Sequence, residues 1–315
     1  MAPETDAAKT QRGTCSSRKA DGKTTVAAVQ DQLIRSTLQN IRFKLFVMSG
    51  KGGVGKSSIA VNLAAALALK GFRVGLLDVD IHGPSIPHFL GLSGGLESSR
   101  GTLLTPQKYG DRLFVVSIGF LLKDPDQAVL WRGPMKTSAI RQFIADVDWG
   151  HLDYLVVDSP PGTGDEPMTV LKTIPEALSI VVTTPQEISL ADVRKAINFL
   201  QYAHANILGL VENMSGLICP HCSNRIELFK TGGGKALAEK YGLEFLGAVP
   251  LDPAAVVAGD LGKPVVMLEE ETPAKQALLQ LAESVIKAIE NSLEAISVSQ
   301  VAPEESAGQP AGQPG

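Results

Sequence analysis

Residues 50–57 read Gly50-Lys51-Gly52-Gly53-Val54-Gly55-Lys56-Ser57, which satisfies G-x-x-x-x-G-K-[ST]. Glycines at this spacing let the backbone curl until its N–H groups point at phosphate oxygens. A helix starting at the same place adds its positive end. In such a loop Lys56 neutralises the β and γ phosphates of ATP, the Ser57 hydroxyl ligates Mg²⁺, and Ser58 continues the nucleotide-contacting stretch. A plain Gly-rich turn is the alternative. It does not account for the full motif between an apolar run and a helical pattern.

Carboxylates follow at two places. Residues 73–78 end in Asp78-Val79-Asp80, and 153–158 end in Asp158, then Ser159-Pro160-Pro161-Gly162. Open α/β sheets place ligands at strand carboxyl ends. Phosphoryl transfer needs a carboxylate near the metal and a group that orients the attacking water. Asp158 suits the metal role, and Asp80 suits orienting or deprotonating water. Asp78 is expected to support the metal shell, and Gly162 to offer its N–H to the γ-phosphate. A strand-end Asp can equally cap a helix or form a turn. The five histidines are scattered and define no nucleophile constellation.

The chain has three cysteines: Cys15 alone, and the pair in Cys219-Pro220-His221-Cys222. That is no disulfide framework, and it suits a reducing compartment. Two thiols at this spacing can ligate one metal centre, act as a redox pair or pack inertly. A thioredoxin-type pair would open a helix, whereas a polar, loop-like stretch follows here.

These residues need a scaffold. Apolar, β-branched runs at 43–48, 73–78, 113–118, 153–158, 178–183, 206–211 and 244–249 predict strands buried on both faces. Helical patterns fill 56–70, 135–146, 187–203, 232–241 and 273–292. The alternation predicts one α/β domain over 26–295, a doubly wound, mostly parallel sheet with helices on both faces. An amphipathic helix beginning near Val26 leads into it. Residues 1–25 are expected to be a disordered leader and 296–315 a disordered tail.

The 315 residues are 44% hydrophobic and 20% charged, with a net charge of −4. That balance gives no sign of a nucleic-acid surface. The apolar stretch from Ile59 to Leu69 is shorter than the ~20 residues that span a bilayer. The leader has neither the apolar core of a signal peptide nor the acid-poor character of a transit peptide. A cytoplasmic protein, bound to neither membrane nor nucleic acid, is expected.

Five strings occur in order: SGKGGVGKSSIAVNLA, DVDIHGPSIPHFLG, WRGPM, VVDSPPGTGDEP and ENMSGLICPHC. Together they resemble the Mrp-type P-loop ATPases, the iron–sulfur cluster carrier family, over about residues 38–290. Lys51 resembles the second lysine of the deviant Walker A class, which includes septum-site, plasmid-partition and nitrogenase iron-protein ATPases. The resemblance implies a slow ATPase that is a homodimer, with Lys51 reaching the partner's nucleotide. It implies a labile [4Fe–4S] cluster on Cys219 and Cys222 and delivery to apo iron–sulfur proteins. It also implies that Asn213, expected just after strand 206–211, reads the adenine; a turn Asn is the alternative. The four-cysteine N-terminal site of the eukaryotic scaffold branch is missing, since only Cys15 lies there. Two other readings stay open: a septum-site or partition-type ATPase, and an ATPase dimer stabilised by zinc on the same cysteines.

Overall fold

The computed structural model describes residues 20–99, 103–122, 131–219, 221–222 and 224–301. In chain order the elements are α1 (Ala20–Gln39), β1 (Ile41–Ser49), α2 (Lys56–Leu69), β2 (Val74–Asp78), α3 (Ile86–Phe89), β3 (Glu97–Ser99), β4 (Leu103–Thr105), β5 (Gln107–Tyr109) and β6 (Leu113–Ser117). Then come α4 (Gly133–Ala145), β7 (Leu152–Asp158), α5 (Asp165–Thr173), β8 (Leu178–Thr183), α6 (Glu187–Tyr202), β9 (Asn206–Ile218), β10 (Arg225–Ile226), α7 (Gly233–Tyr241), β11 (Phe245–Leu251), α8 (Pro253–Asp260) and α9 (Pro273–Val301).

The main sheet runs β10-β9-β8-β1-β7-β2-β6-β5, and β11 also pairs with β9. Its central pairings are parallel, while β5 and β10 are antiparallel at the two margins. The expected doubly wound architecture is therefore present. Successive side chains of a strand face opposite ways, and β1 shows the consequence. Leu45 and Val47 join a core with α2 and α9. Phe46 and Met48 join the opposite core with α1, α4 and α6. A strand that must be apolar on both faces reads as an unbroken hydrophobic run, which is why β1 was visible in the sequence.

Four expectations are corrected. The first helix begins at Ala20, inside the stretch expected to be leader; residues 1–19, with Cys15, lie outside the described residues. The last helix continues to Val301, past the expected end at 292 and into the expected tail, of which 302–315 lie outside the described residues. Strand β9 reaches Ile218 rather than 211, so Asn213 lies within the strand and not after it. Helices α5 and α8 and the three-residue strands β3, β4 and β5 were not anticipated.

Register brings the chemistry together. β1, β2 and β7 are neighbours, and Asp78 lies beside Asp158. The phosphate loop leaves the carboxyl end of β1, at the middle of the sheet. The carboxyl ends of β2 and β7 supply the acids at the same edge.

Candidate functional site

The loop between β1 and α2 owes its shape to particular glycines. Gly53 and Gly55 have φ of 80° and 82°, the left-handed region that disfavours a side chain. A Cβ on Gly50 would come within 2.4 Å of the Asp192 backbone, and one on Gly55 within 2.1 Å of Asn213 Nδ2. No side chain caps α2, which leaves its N-terminal N–H groups to a ligand. The Ser49 hydroxyl donates to the Lys51 carbonyl at 2.9 Å and holds the loop's entry. Lys51, Gly52, Gly53, Gly55, Lys56, Ser57, Ser58 and Asp80 line a cavity of about 220 Å³.

Lys56 is buried at the floor of this cavity. Its ammonium donates to Asp158 Oδ1 at 2.6 Å and to Ser57 Oγ at 3.1 Å, and it lies 4.0 Å from Asp80 Oδ2. The lysine expected on phosphate therefore rests on the strand-end acid. A triphosphate offers it a second set of anionic partners. Asp158 Oδ2 is buried and has no hydrogen-bond partner. An orphaned carboxylate oxygen on the acid that Lys56 links to the Ser57 hydroxyl fits a hard divalent cation such as Mg²⁺, which takes oxygen ligands.

Two other residues have different surroundings from those expected. Asp78 is fully buried; Oδ1 accepts the Asp80 N–H at 3.0 Å and Oδ2 the Ser117 hydroxyl at 2.8 Å. One oxygen thus shapes the loop after β2 and the other ties β2 to the end of β6. Burial, reinforced by the Asp158 charge, pushes its carboxyl up to about 8. Burial also raises Asp80, against the opposing pull of Lys56. Gly162 has φ of 90°, and its N–H donates to the Ser49 carbonyl at 2.9 Å. In this state that N–H is occupied, so offering it to a γ-phosphate requires this bond to open.

Gly55 and Ser58 also border a second, more apolar cavity of about 310 Å³. Its walls include Asn213, Met214, Pro250, Leu251 and Val256. A flat nucleoside attached to phosphates in the first cavity would extend here. Asn213 is buried, and its amide donates to the Val54 carbonyl at 2.9 Å, tying β9 to the phosphate loop.

From there β9 runs straight to the cysteines. Met214 and Gly216 both have positive φ, 57° and 74°, which kinks the strand. Ile218 pairs with Arg225 and Leu217 with Ile226, and the Cys219 N–H donates to the Asn224 carbonyl at 2.9 Å. The pair, expected in a loop, lies in the connection of a β-hairpin between Ile218 and Arg225, with Cys219 half-buried and Cys222 exposed. Hydrogen bonds from the His221 N–H, then from the Cys222 N–H and thiol, draw the Cys219 thiol below its ordinary value, toward thiolate. At the hairpin's base, buried Glu212 accepts from Ser215 Oγ (2.6 Å) and from the N–H groups of Gly232 (2.9 Å) and Gly234 (2.6 Å).

Residues 40–286 match the family described as ParA: NUBPL iron-transfer P-loop NTPase. The chain belongs to that family. An iron-sulfur cluster carrier protein of Methanocaldococcus jannaschii is 44% identical to this iron-transfer P-loop NTPase over 268 residues, 85% of the chain and 92% of the relative. The cytosolic Fe-S cluster assembly factor NBP35 of Kluyveromyces lactis is 45% identical over 263 residues, 82% of the chain and 81% of the relative. Among solved structures, a nucleotide-binding protein from Archaeoglobus fulgidus in complex with ADP superposes with a TM-score of 0.67 at 38% identity, covering 78% of this chain and 98% of that one. The cell division ATPase MinD of Pyrococcus furiosus gives 0.57 at 22%, covering 78% and 98%, a likeness of fold.

In this iron-transfer P-loop NTPase, sequence reasoning missed the second cavity's far wall. The signal was available: β11 is another parallel strand whose carboxyl end, Pro250-Leu251-Asp252, falls at the same edge of the sheet. It also gave no role to Glu212, the first residue of the ENMSGLICPHC string, because an acid just after an apolar run reads as the end of a strand.

Proposed function

We propose that this chain is an ATP-binding iron–sulfur cluster carrier that holds a labile [4Fe–4S] cargo between two copies of itself and passes it to apo iron–sulfur proteins. Slow ATP hydrolysis accompanies the cycle. The observation that carries this reading is the hairpin: two accessible thiols, one drawn toward thiolate, at the end of a strand whose middle lines the nucleoside cavity. A [4Fe–4S] cluster takes four thiolates, and this hairpin has two. A two-fold axis presents the same loop twice and completes the set. The named carriers among the relatives support the cargo, and the ADP-bound relative supports the nucleotide.

In the hydrolytic half of this reading Lys56 holds the β and γ phosphates, while Ser57 and Asp158 hold Mg²⁺. The metal supplies charge neutralisation on the phosphate oxygens. Asp80 orients the attacking water, and the partner's copy of Lys51 adds a cation when two subunits close, as an arginine finger does. A septum-site or partition role would leave the cysteine hairpin without a task. Among the described residues no helix is long and apolar enough to cross a membrane; the relative named as a cytosolic assembly factor supports a cytoplasmic carrier.

The test is anaerobic purification with iron, sulfide and zinc analysis and a visible spectrum. We expect about four iron and four sulfide per two chains, and transfer of both to an apo-protein. Stoichiometric zinc without sulfide would replace the carrier reading with a structural metal.

A further inference from the structure

WRGPM is the string in this chain that neither the nucleotide nor the cysteines use. It opens α4, and the residue after it is Lys136. The Lys136 ammonium donates to Glu166 Oε1 at 2.6 Å and to His82 Nε2 at 2.6 Å, and Glu166 Oε1 lies 4.0 Å from that same ring nitrogen. An ammonium has only protons to give, so His82 accepts through Nε2. The Lys136 and Glu166 side chains are each 14% exposed. They are sheltered, unlike the freely solvated surface pairs whose contribution is small.

The three residues come from three segments. His82 is in the loop that carries Asp80, Glu166 opens α5 after the Asp158 turn, and Lys136 bridges them from α4. The start of α4 rests on α5 at other points too. A Cβ on Gly133 would lie 3.4 Å from Asp165 Oδ2, and Thr137 Oγ1 is 3.2 Å from Thr169 Oγ1. Meanwhile the Asp80 loop is tied at its root, where the Asp80 N–H meets Asp78, and the Gly83 N–H reaches back to Asp80 Oδ1 at 3.3 Å. Root and tip are then both fixed: the root by Asp78, the tip by the lysine.

We propose that Lys136 is a positioning residue for ATP hydrolysis, a clasp that fastens the Asp80 loop to the start of α5 and so sets Asp80 against Lys56 and Asp158. Its partners are Glu166 and His82, and it is not among the residues that line the phosphate cavity. It acts through the placement of Asp80, whose carboxylate needs a fixed direction to orient a nucleophile. This rests on the ATPase reading above.

Lys136→Met keeps an unbranched side chain only one atom shorter and removes the charge. It should lower kcat on the order of tenfold to a hundredfold, the scale on which small misplacements act, with KM and ADP affinity little changed. Lys136→Arg should recover most of the rate. The exchanged pair Lys136→Glu with Glu166→Lys should recover more than either single change. Hydrogen exchange, read without turnover, should rise about tenfold at 79–85 in Lys136→Met while β1 and α2 stay protected, as expected of a local opening. Unchanged exchange at 79–85, or wild-type kcat in Lys136→Met, overturns the clasp. A wild-type chain that binds ATP and never hydrolyses it overturns the ATPase reading instead, and the exchange result then decides the clasp by itself.

Discussion

The phosphate loop and the cysteine hairpin are joined by one strand yet built on opposite terms. The loop is sunk at the middle of the sheet, and its central lysine is already paired with a buried acid at 2.6 Å. Its shape is dictated by backbone: glycines whose replacement would collide with Asp192 or Asn213. The hairpin stands at the margin, with few backbone pairs and Cys222 exposed. One region gathers its glycines, Lys56, Ser57 and acids within a single chain, and the other offers two thiols. On the reading proposed above, phosphate is held by one chain's loop, whereas a four-thiolate cargo requires two chains.

The strongest way to break this contrast is at the loop. Lys56→Ala should abolish turnover and weaken nucleotide binding. It also strands Asp158 as an uncompensated buried charge, at about 3 kcal/mol of stability. Adding Asp158→Asn should restore much of the melting temperature and none of the turnover, which separates folding from chemistry. If the double variant melts no higher than Lys56→Ala, the 2.6 Å pair is not what the fold depends on.

The hairpin should behave in the reverse sense. Cys219→Ser or Cys222→Ser should bring bound iron and sulfide down to background, because two of four thiolates vanish from the assembled site. Melting temperature and ATP affinity should stay close to wild type. A cluster that survives in the double serine variant would place its ligands elsewhere.

The smallest effect sharpens the comparison at the buried acids. The Asp78 carboxyl is raised to about 8 from 3.8 by burial, then by Asp158. Between about pH 4 and pH 8 the folded chain holds a proton there that the unfolded chain has lost, so this group makes stability fall as pH rises through that window. Asp78→Asn removes the titration. Its melting temperature relative to wild type should climb by a few degrees from pH 5 to pH 8. A flat difference would mean that Asp78 is ionised across the range.

Much of this was legible because parallel strands covered on both faces write themselves as apolar runs, and because a phosphate loop depends on glycine spacing. Strand β9 shows where that legibility stops. After Val211 the run breaks into Glu212, Asn213 and Ser215, which look like the end of a strand. They are buried nevertheless, since Glu212 and Ser215 bond each other and Asn213 bonds the Val54 carbonyl. Polarity ended the pattern while the strand went on. The Lys136 clasp was invisible for another reason: its three members lie 54 and 30 residues apart, and folding alone brings them together.

Glu212 has one more consequence. Its carboxylate receives the Ser215 hydroxyl within the last residues of β9 and the Gly232 N–H where the chain returns after β10. The excursion from 215 to 232, cysteines included, is tied at both ends by this one carboxylate, in addition to the β9–β10 pairing within it. Lengthening or shortening a segment closed in this way costs little, since closure entropy grows only slowly with loop length. The excursion is thus a cassette: a different set of metal-binding residues could be grafted between Ser215 and Gly232 while the nucleotide machinery beneath keeps its register.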